Sequence, residues 1–436
     1  MSEASAGRRV FVLGGGIAGI GAALRCADRG DAVTLLESRR WLGGRAFSSP
    51  DPVTGWMLDN GPHVMLGCYR ELRALLRRLG SEAGFDRAPT LALAYRTAHG
   101  RAVRLRLGGL PVPLTMPWAL LRLPLPFAAR LRALFGMSAV LLGAKATWTL
   151  ADWQRRRGQR GEPDAFLWRP LCRAIMNVEP DAASARDFLH TLREAFLGSA
   201  AAAAIWAPMR PWQQLIGEPA ARVLPAAGVV VRTGARVAAL VREADRVVAL
   251  QLADGERLAL GGADRVVSAL PWSALRALLP DATPAFGELR SAPIVSVFAE
   301  SPSGAPTLPD DGPVTALVDG DPFHFVVRTP GGDARRFALL SGGGRSFDGQ
   351  PVEVIVTRAR QQLARHYPGF AVDGLVLRVR KEQHATFVAA PGHERQRPAP
   401  GQPLPSGPRN LLVCGDWTAT GLPATLESAA RSAAAL

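Results

Sequence analysis

The sequence predicts an α/β protein in which a Rossmann-like dinucleotide-binding domain is interleaved with a mixed α+β substrate domain. Three observations predict it. A strand, a glycine-rich turn and a helix open the chain in "RRVFVLGGGIAGIGAALRCADRGDAVTLLESRRWLGGRA". Residues 234–271 alternate apolar and polar positions and read as an antiparallel meander followed by a buried strand. A last apolar run, Leu411 to Cys414, delivers Gly415 and Asp416 to small residues and an Ala-rich helix. Strand, Gly-Asp, helix is how a chain approaches a bound polar ligand, so both ends of the sequence carry a docking turn.

In the opening unit, Arg9 to Leu13 is a short β-branched and apolar run. Gly14, Gly16 and Gly19 hold the GxGxxG spacing, and Ile17 and Ala18 open an Ala/Leu helix that runs to about Arg29. The glycines allow a tight turn and close approach to a pyrophosphate, which the free N–H groups and positive dipole end of the helix attract. A second strand, Asp31 to Leu36, ends in Glu37 and Ser38, where a carboxylate can accept both ribose hydroxyls. NAD and FAD both fit this much. The next residues discriminate: Gly43 and Gly44 permit close backbone approach, and Arg45 brings a fork-shaped cation for a phosphate or a flavin edge. "DNGPHVMLGCY", residues 59–69, follows.

This order of motifs resembles the flavin amine oxidase and phytoene desaturase superfamily. The resemblance implies FAD as cofactor, spanning these elements, and a fold of the amine oxidase and phytoene desaturase type. It implies that Gly61, Pro62 and His63 lie beside the isoalloxazine and that Gly415 and Asp416 meet the ribityl-pyrophosphate region. Pro423, Ala424 and Thr425 would open a last helix whose N-terminus faces the flavin pyrimidine ring. Val237, at the start of the meander, would lie where backbone contacts the adenine. The implied cofactor domain comprises 8–81, 222–284 and 406–436, and the substrate domain 82–221 and 285–405.

Composition bounds the rest. The 436 residues are 48% hydrophobic with mean hydropathy +0.07, enough for one large or two interleaved domains. A net charge of +15 suits nucleic acid or an anionic membrane face. Cys26, Cys68, Cys172 and Cys414 form no CxxC and have no His partner at metal-ligand spacing, which points to free thiols in a reducing compartment and no metal. The stretch before the first strand is too short for a signal peptide. The longest uncharged runs, Ala133–Ala144 and Ala195–Met209, fall short of the roughly 18 to 20 apolar residues of a spanning helix. The expectation is a cytoplasmic protein, soluble or peripheral on the inner face of the membrane.

The second insertion shows strand patterns at Ile294–Glu300, Val314–Val318, Phe323–Arg328, Arg336–Leu340 and Gly374–Arg380, and a helix near Pro351–Tyr367. "APGHERQRPAPGQPLPSGPRN" reads as a solvated return loop. In the first insertion, residues 87–151 contain nine Arg or Lys and no Asp or Glu. Segment 110–145 sets those cations among Leu, Pro, Trp and Phe, a pattern that suits an anionic membrane interface and argues against nucleic acid, where stacking aromatics are expected.

Three stretches narrow the resemblance: "DNGPHVMLGCYRELRALLRRLG", "ATFVAAP" (385–391) and "GDWTATGLPATLESAARS". Together they resemble the hydroxysqualene dehydroxylase family of hopanoid synthesis. Pro62, where Gln is expected, and His384, where a basic residue usually precedes Ala-Thr-Phe, depart from that pattern. The implied reaction replaces the allylic hydroxyl of hydroxysqualene by hydride, giving squalene, with a long-chain isoprenoid as substrate and NADPH as a candidate reductant. His63 is the expected proton donor, with Tyr69 and a bound water as rivals. The alternatives are a carotenoid-type desaturase, an amine oxidase, and a non-catalytic prenyl-lipid carrier.

Overall fold

The apolar strands of the cofactor half form one parallel sheet, in the order Val230–Thr233, Ala32–Glu37, Arg9–Leu13, Arg265–Ser268, Leu411–Val413. The computed structural model describes residues 8–436 apart from 283–285, 287, 310–311, 332–333 and 344–345. Side chains along each strand alternate between two cores. Val10, Val12, Leu35 and Val267 pack with the helices Ile17–Asp28 and Leu426–Ala434, while Phe11, Leu13, Leu36 and Val266 join the core on the other face. Burial on both faces is why these strands are almost uninterrupted in apolar residues.

The meander forms as the alternation predicts, with strands Val237–Glu243, Arg246–Leu252 and Arg257–Ala259. Its two turns place Ala244 at φ +49° and Gly255 at φ +94°. Asn410, just ahead of the last parallel strand, staples the meander to the sheet. Its Nδ2 donates to the Val247 carbonyl at 2.9 Å and its Oδ1 accepts the Val247 N–H at 2.8 Å.

A seven-stranded sheet makes the second half, in the order Val376–Phe387, Ser291–Glu300, Arg336–Ser341, Phe325–Arg328, Val314–Leu317, Ala92–Arg96, Ala102–Arg106. Its pairs are antiparallel except Val314–Leu317 with Ala92–Arg96, so the two insertions share one sheet. On one face, Val295, Val297, Leu317, Val326 and Leu339 pack against the helix Val352–His366. The other face is turned toward the cofactor half. The last strand runs on to Phe387, well past the expected end at Arg380, because Ser291 and Ala292 continue to pair with Phe387 and Thr386.

The expected domain boundaries need adjustment. Trp206, Trp212, Leu215, Ile216 and Ala220 belong to the cofactor-half core, so that core reaches back before 222. The 81/82 boundary cuts a small sheet in which Ile205–Pro208 pairs with both Met65–Leu66 and Phe85–Arg87. The 284/285 boundary lies outside the described residues. No helix among the described residues is long and apolar enough to cross a membrane.

Replacing Asn410 by Ala strands the buried Val247 backbone groups, and the unfolding free energy should fall by about 2 kcal/mol in urea titrations. An unchanged midpoint and slope would remove the staple from this account.

Candidate functional site

A cavity of about 820 Å³ runs from the C-terminal ends of the parallel strands to the open face of the seven-stranded sheet. The C-terminal edge of a parallel sheet is where such folds bind ligands, and the volume lies toward the top of the ~300–1,000 Å³ range of small-molecule sites. Among the residues singled out from sequence, Gly14, Gly16, Ile17, Ala18, Glu37, Ser38, Gly43, Gly44, Arg45, Gly61, Pro62, His63, Val237, Gly415, Asp416, Ala424 and Thr425 line it. Gly19 and Pro423 do not. Gly19 lies beneath the turn, where a Cβ would stand 1.8 Å from the Gly14 carbonyl oxygen, so its role is to let helix and turn pack together.

The helix Ile17–Asp28 starts at Gly16 with no side-chain cap and no acid in its first turn. Its first N–H groups are left for an anion. Glu37 is tied to this turn: its Oε2 accepts from Gly15 N at 2.6 Å, and its Oε1 from Arg39 N at 2.8 Å. Arg45 does more than face a phosphate or flavin edge. Its Nη2 donates to Asp416 Oδ1 at 2.6 Å and its Nη1 to the Ala385 carbonyl at 2.8 Å, and the Asp416 charge raises its pKa.

The C-terminal turn is clamped from a place the sequence did not mark. Arg397 sits in the stretch expected to be a solvated loop, yet it is only 8% exposed. Its guanidinium donates to the carbonyls of Asp416, Trp417, Thr418 and Leu422 and lies 4.8 Å from the Phe387 ring centroid. Burial pulls its pKa down to about 10, so it remains charged at neutral pH. The loop carries a buried cation because the turn points several carbonyls toward it, two of which, Asp416 and Thr418, also accept from Ser428 Oγ and Thr420 N.

His63 lies edge-on to Trp212 with ring centroids 5.8 Å apart, and its Nδ1 is buried with no partner among the described residues. Burial, with Arg45 adding to it, pulls its pKa from 6.5 to about 4. The imidazole is therefore neutral at pH 7, so His63 as the expected proton donor would first have to take up a proton. Burial also pushes the Tyr69 phenol well up, away from acid duty. The bare helix N-terminus, the glycine packing and the orphaned Nδ1 together fit FAD.

Three polar cavity residues, Asn60, Asn177 and Glu382, were not singled out from sequence. Asn60 Nδ2 donates to Glu382 Oε2 at 2.8 Å, and Glu382 Oε1 accepts His384 N at 3.0 Å. Asn177, at φ +51°, ends the helix Arg169–Met176; it donates to Thr386 Oγ1 at 3.0 Å and accepts Gly343 N at 2.9 Å. Asn after a helical run is a left-handed cap signal that sequence can offer. Glu382 had no such signal; pairing with Ile294 puts it on the cavity face.

Residues 17–435 match the family model for flavin containing amine oxidoreductases. The chain belongs to that family. It is similar to hydroxysqualene dehydroxylase of Rhodopseudomonas palustris, 31% identical over 98% of this chain and 96% of the relative, and to that of Sinorhizobium fredii, 30% identical over the same shares. A 15-cis-phytoene desaturase of Synechococcus elongatus is 22% identical over 97% of this chain and 94% of its own length. Among solved structures, an oxidoreductase from Methanosarcina mazei superposes with TM-score 0.73 at 15% identity, covering 98% of this chain and 99% of that one. Putrescine oxidase with putrescine bound gives 0.68 at 15% identity, covering 98% and 97%. The protein is an FAD-dependent oxidoreductase with the amine oxidase type of fold. The carrier alternative gives way to an enzyme.

Changing Arg397 to Met should cost about 3 kcal/mol of stability and weaken FAD binding, since several buried carbonyls lose their donor; thermal melts with and without FAD read both effects. The pKa of His63 is depressed in the fold, so its contribution is present above pH 6.5 and is lost as pH falls toward about 4. Between pH 7 and 5 the cofactor-free wild type should lose about 2 kcal/mol more stability than His63→Gln. Equal losses would mean that the imidazole is not held neutral.

Proposed function

We propose that the enzyme removes the allylic hydroxyl of hydroxysqualene reductively, giving squalene in squalene and hopanoid synthesis. One observation carries the reading: Ile175, Ile294, Val314, Phe325, Val327 and Leu340 line the same cavity as the cofactor motifs. A flexible isoprenoid needs this kind of dry aliphatic wall, which also keeps water from an allylic cation. An amine would call for an aromatic cage; Tyr69 is the one tyrosine on the cavity wall, with Tyr95 and Tyr367 buried in other cores. The relatives named hydroxysqualene dehydroxylase, matched over nearly their whole length, support the same reading.

FAD, held by the glycine-rich turn, Glu37 and the C-terminal turn and first reduced by an external reductant, would supply the two electrons as hydride. The change exchanges a C–O bond for a C–H bond, and hydroxide leaves as water once a proton reaches it. The proton path is assigned to Glu382 acting as a relay, which takes up a proton from solvent and passes it to the leaving hydroxyl. Of the cavity carboxylates, Glu37 belongs to the glycine-rich turn and Asp416 is paired with Arg45, whereas Glu382, hydrogen-bonded to Asn60 and the His384 N–H, is the one that stands on the substrate sheet. The neutral His63 acts as a hydrogen-bonding group that orients the cofactor edge or the hydroxyl.

Incubated anaerobically with hydroxysqualene and a reductant such as dithionite or NADPH, the FAD-loaded protein should form squalene. Glu382→Gln should slow turnover by about 10²–10⁴ with flavin absorbance intact, and His63→Gln by less with a shifted flavin spectrum. If His63→Gln alone carries the large rate loss, the proton assignment to Glu382 is wrong. If no squalene forms and the oxidised protein dehydrogenates a polyene, the reaction is a carotenoid-type desaturation.

A further inference from the structure

The helix Phe127–Ala139 is packed inside out. It buries its small residues Ala129, Ala133, Gly136 and Ala139 and exposes its large ones, Phe127 at 68% and Phe135 at 70%. The inward face has to be small, since a Cβ at Gly136 would stand 2.2 Å from Gln159 Oε1. Leu131, partly exposed, lies between the two rings at four-residue spacing, so they form one stripe. Leu141 and Leu142 extend the apolar surface beyond the helix end.

The preceding helix, Val112–Leu121, packs against it and also turns large apolar residues outward, though it buries large ones too. Val112, Met116, Ala119 and Leu120 point inward, while Leu114 and Trp118 are exposed and Arg122 continues their stripe at the next four-residue step. A helix pair meant for water presents polar residues outward. Here the outward faces carry large apolar side chains, within a stretch, 87–151, that has nine cations and no acid.

The structure redistributes the work expected of the arginines. Arg130 braces the pair, donating to the carbonyls of Leu125 at 2.7 Å and Leu121 at 3.0 Å, and Arg132 pairs with Glu162 at 3.1 Å. Arg130 is thereby committed to the helix pair, and Arg132 is partly neutralised by an exposed acid. Arg122 and Arg106 are exposed and have no partner among the described residues.

We propose that this helical pair docks the enzyme on an anionic lipid bilayer, with Trp118, Phe127, Phe135 and the leucines in the acyl boundary and Arg122 at the headgroups. An amphipathic surface of this composition binds by apolar insertion together with attraction to anionic lipid. A second copy of the chain is a poorer occupant, because it would bring another predominantly cationic segment against this one in a protein of net charge +15. The proposal does not depend on which isoprenoid is the substrate.

The test uses the full-length, FAD-loaded protein and co-sedimentation with vesicles of mixed phosphatidylglycerol and phosphatidylcholine, or of phosphatidylcholine alone. Wild type should bind the mixed vesicles at low salt. The Trp118→Ser/Phe135→Ser double variant, altered only at exposed positions, should melt normally and bind at least about tenfold more weakly. Arg122→Glu should weaken binding to the mixed vesicles about fivefold and leave binding to phosphatidylcholine alone unchanged. Wild type that stays unbound, or a double variant that binds equally, overturns the proposal. A dimer in light scattering that the double variant dissociates, without vesicle binding, would assign the surface to a second copy instead.

Discussion

The Arg45 guanidinium bonds to Asp416, 371 residues away in sequence, and to the Ala385 carbonyl, 340 residues away. The first glycine-rich unit, the end of the substrate sheet and the C-terminal turn are thereby held at one point beside the cavity. Planar, multidentate geometry suits this task, because one side chain can satisfy a carboxylate and a carbonyl in fixed directions. Comparable long-range polar ties set the surrounding frame. Arg397 gathers the carbonyls of the C-terminal turn. Glu427, buried within the last helix, accepts the N–H groups of Glu71 and Leu72 at the start of the helix Arg70–Leu79, where the dipole favours a carboxylate. Each tie gives buried polar groups hydrogen-bond partners from a distant part of the chain.

Function follows from the two faces of the substrate sheet. One face packs on the helix Val352–His366, which makes the sheet a stiff wall; the other gives the cavity its aliphatic floor. Solved structures that superpose with TM-scores near 0.7 at about 15% identity share the framework, including one that holds putrescine. A framework that serves so polar a ligand elsewhere leaves the choice of substrate to the lining. Here the lining is aliphatic on the sheet side, and its polar groups are concentrated around Asn60, Glu382 and Asn177.

The sequence by itself determined the cofactor half and many of the residues that line its cavity. Glycine spacing, a strand ending in an acid and period-two alternation are local rules whose outcome needs no knowledge of distant neighbours, and the strands of the second insertion were legible for the same reason. Only the tertiary structure decided the rest. The strand pairing that turns Glu382 into the cavity joins residues far apart in sequence. Burial made His63 neutral and drew Arg397 out of a stretch that reads as solvated loop. The composition of 110–145 announced an apolar, cationic segment, but it could not tell which arginines brace the helices and which face outward. Charge state and exposure depend on what packs over a residue, and that is settled when distant segments meet.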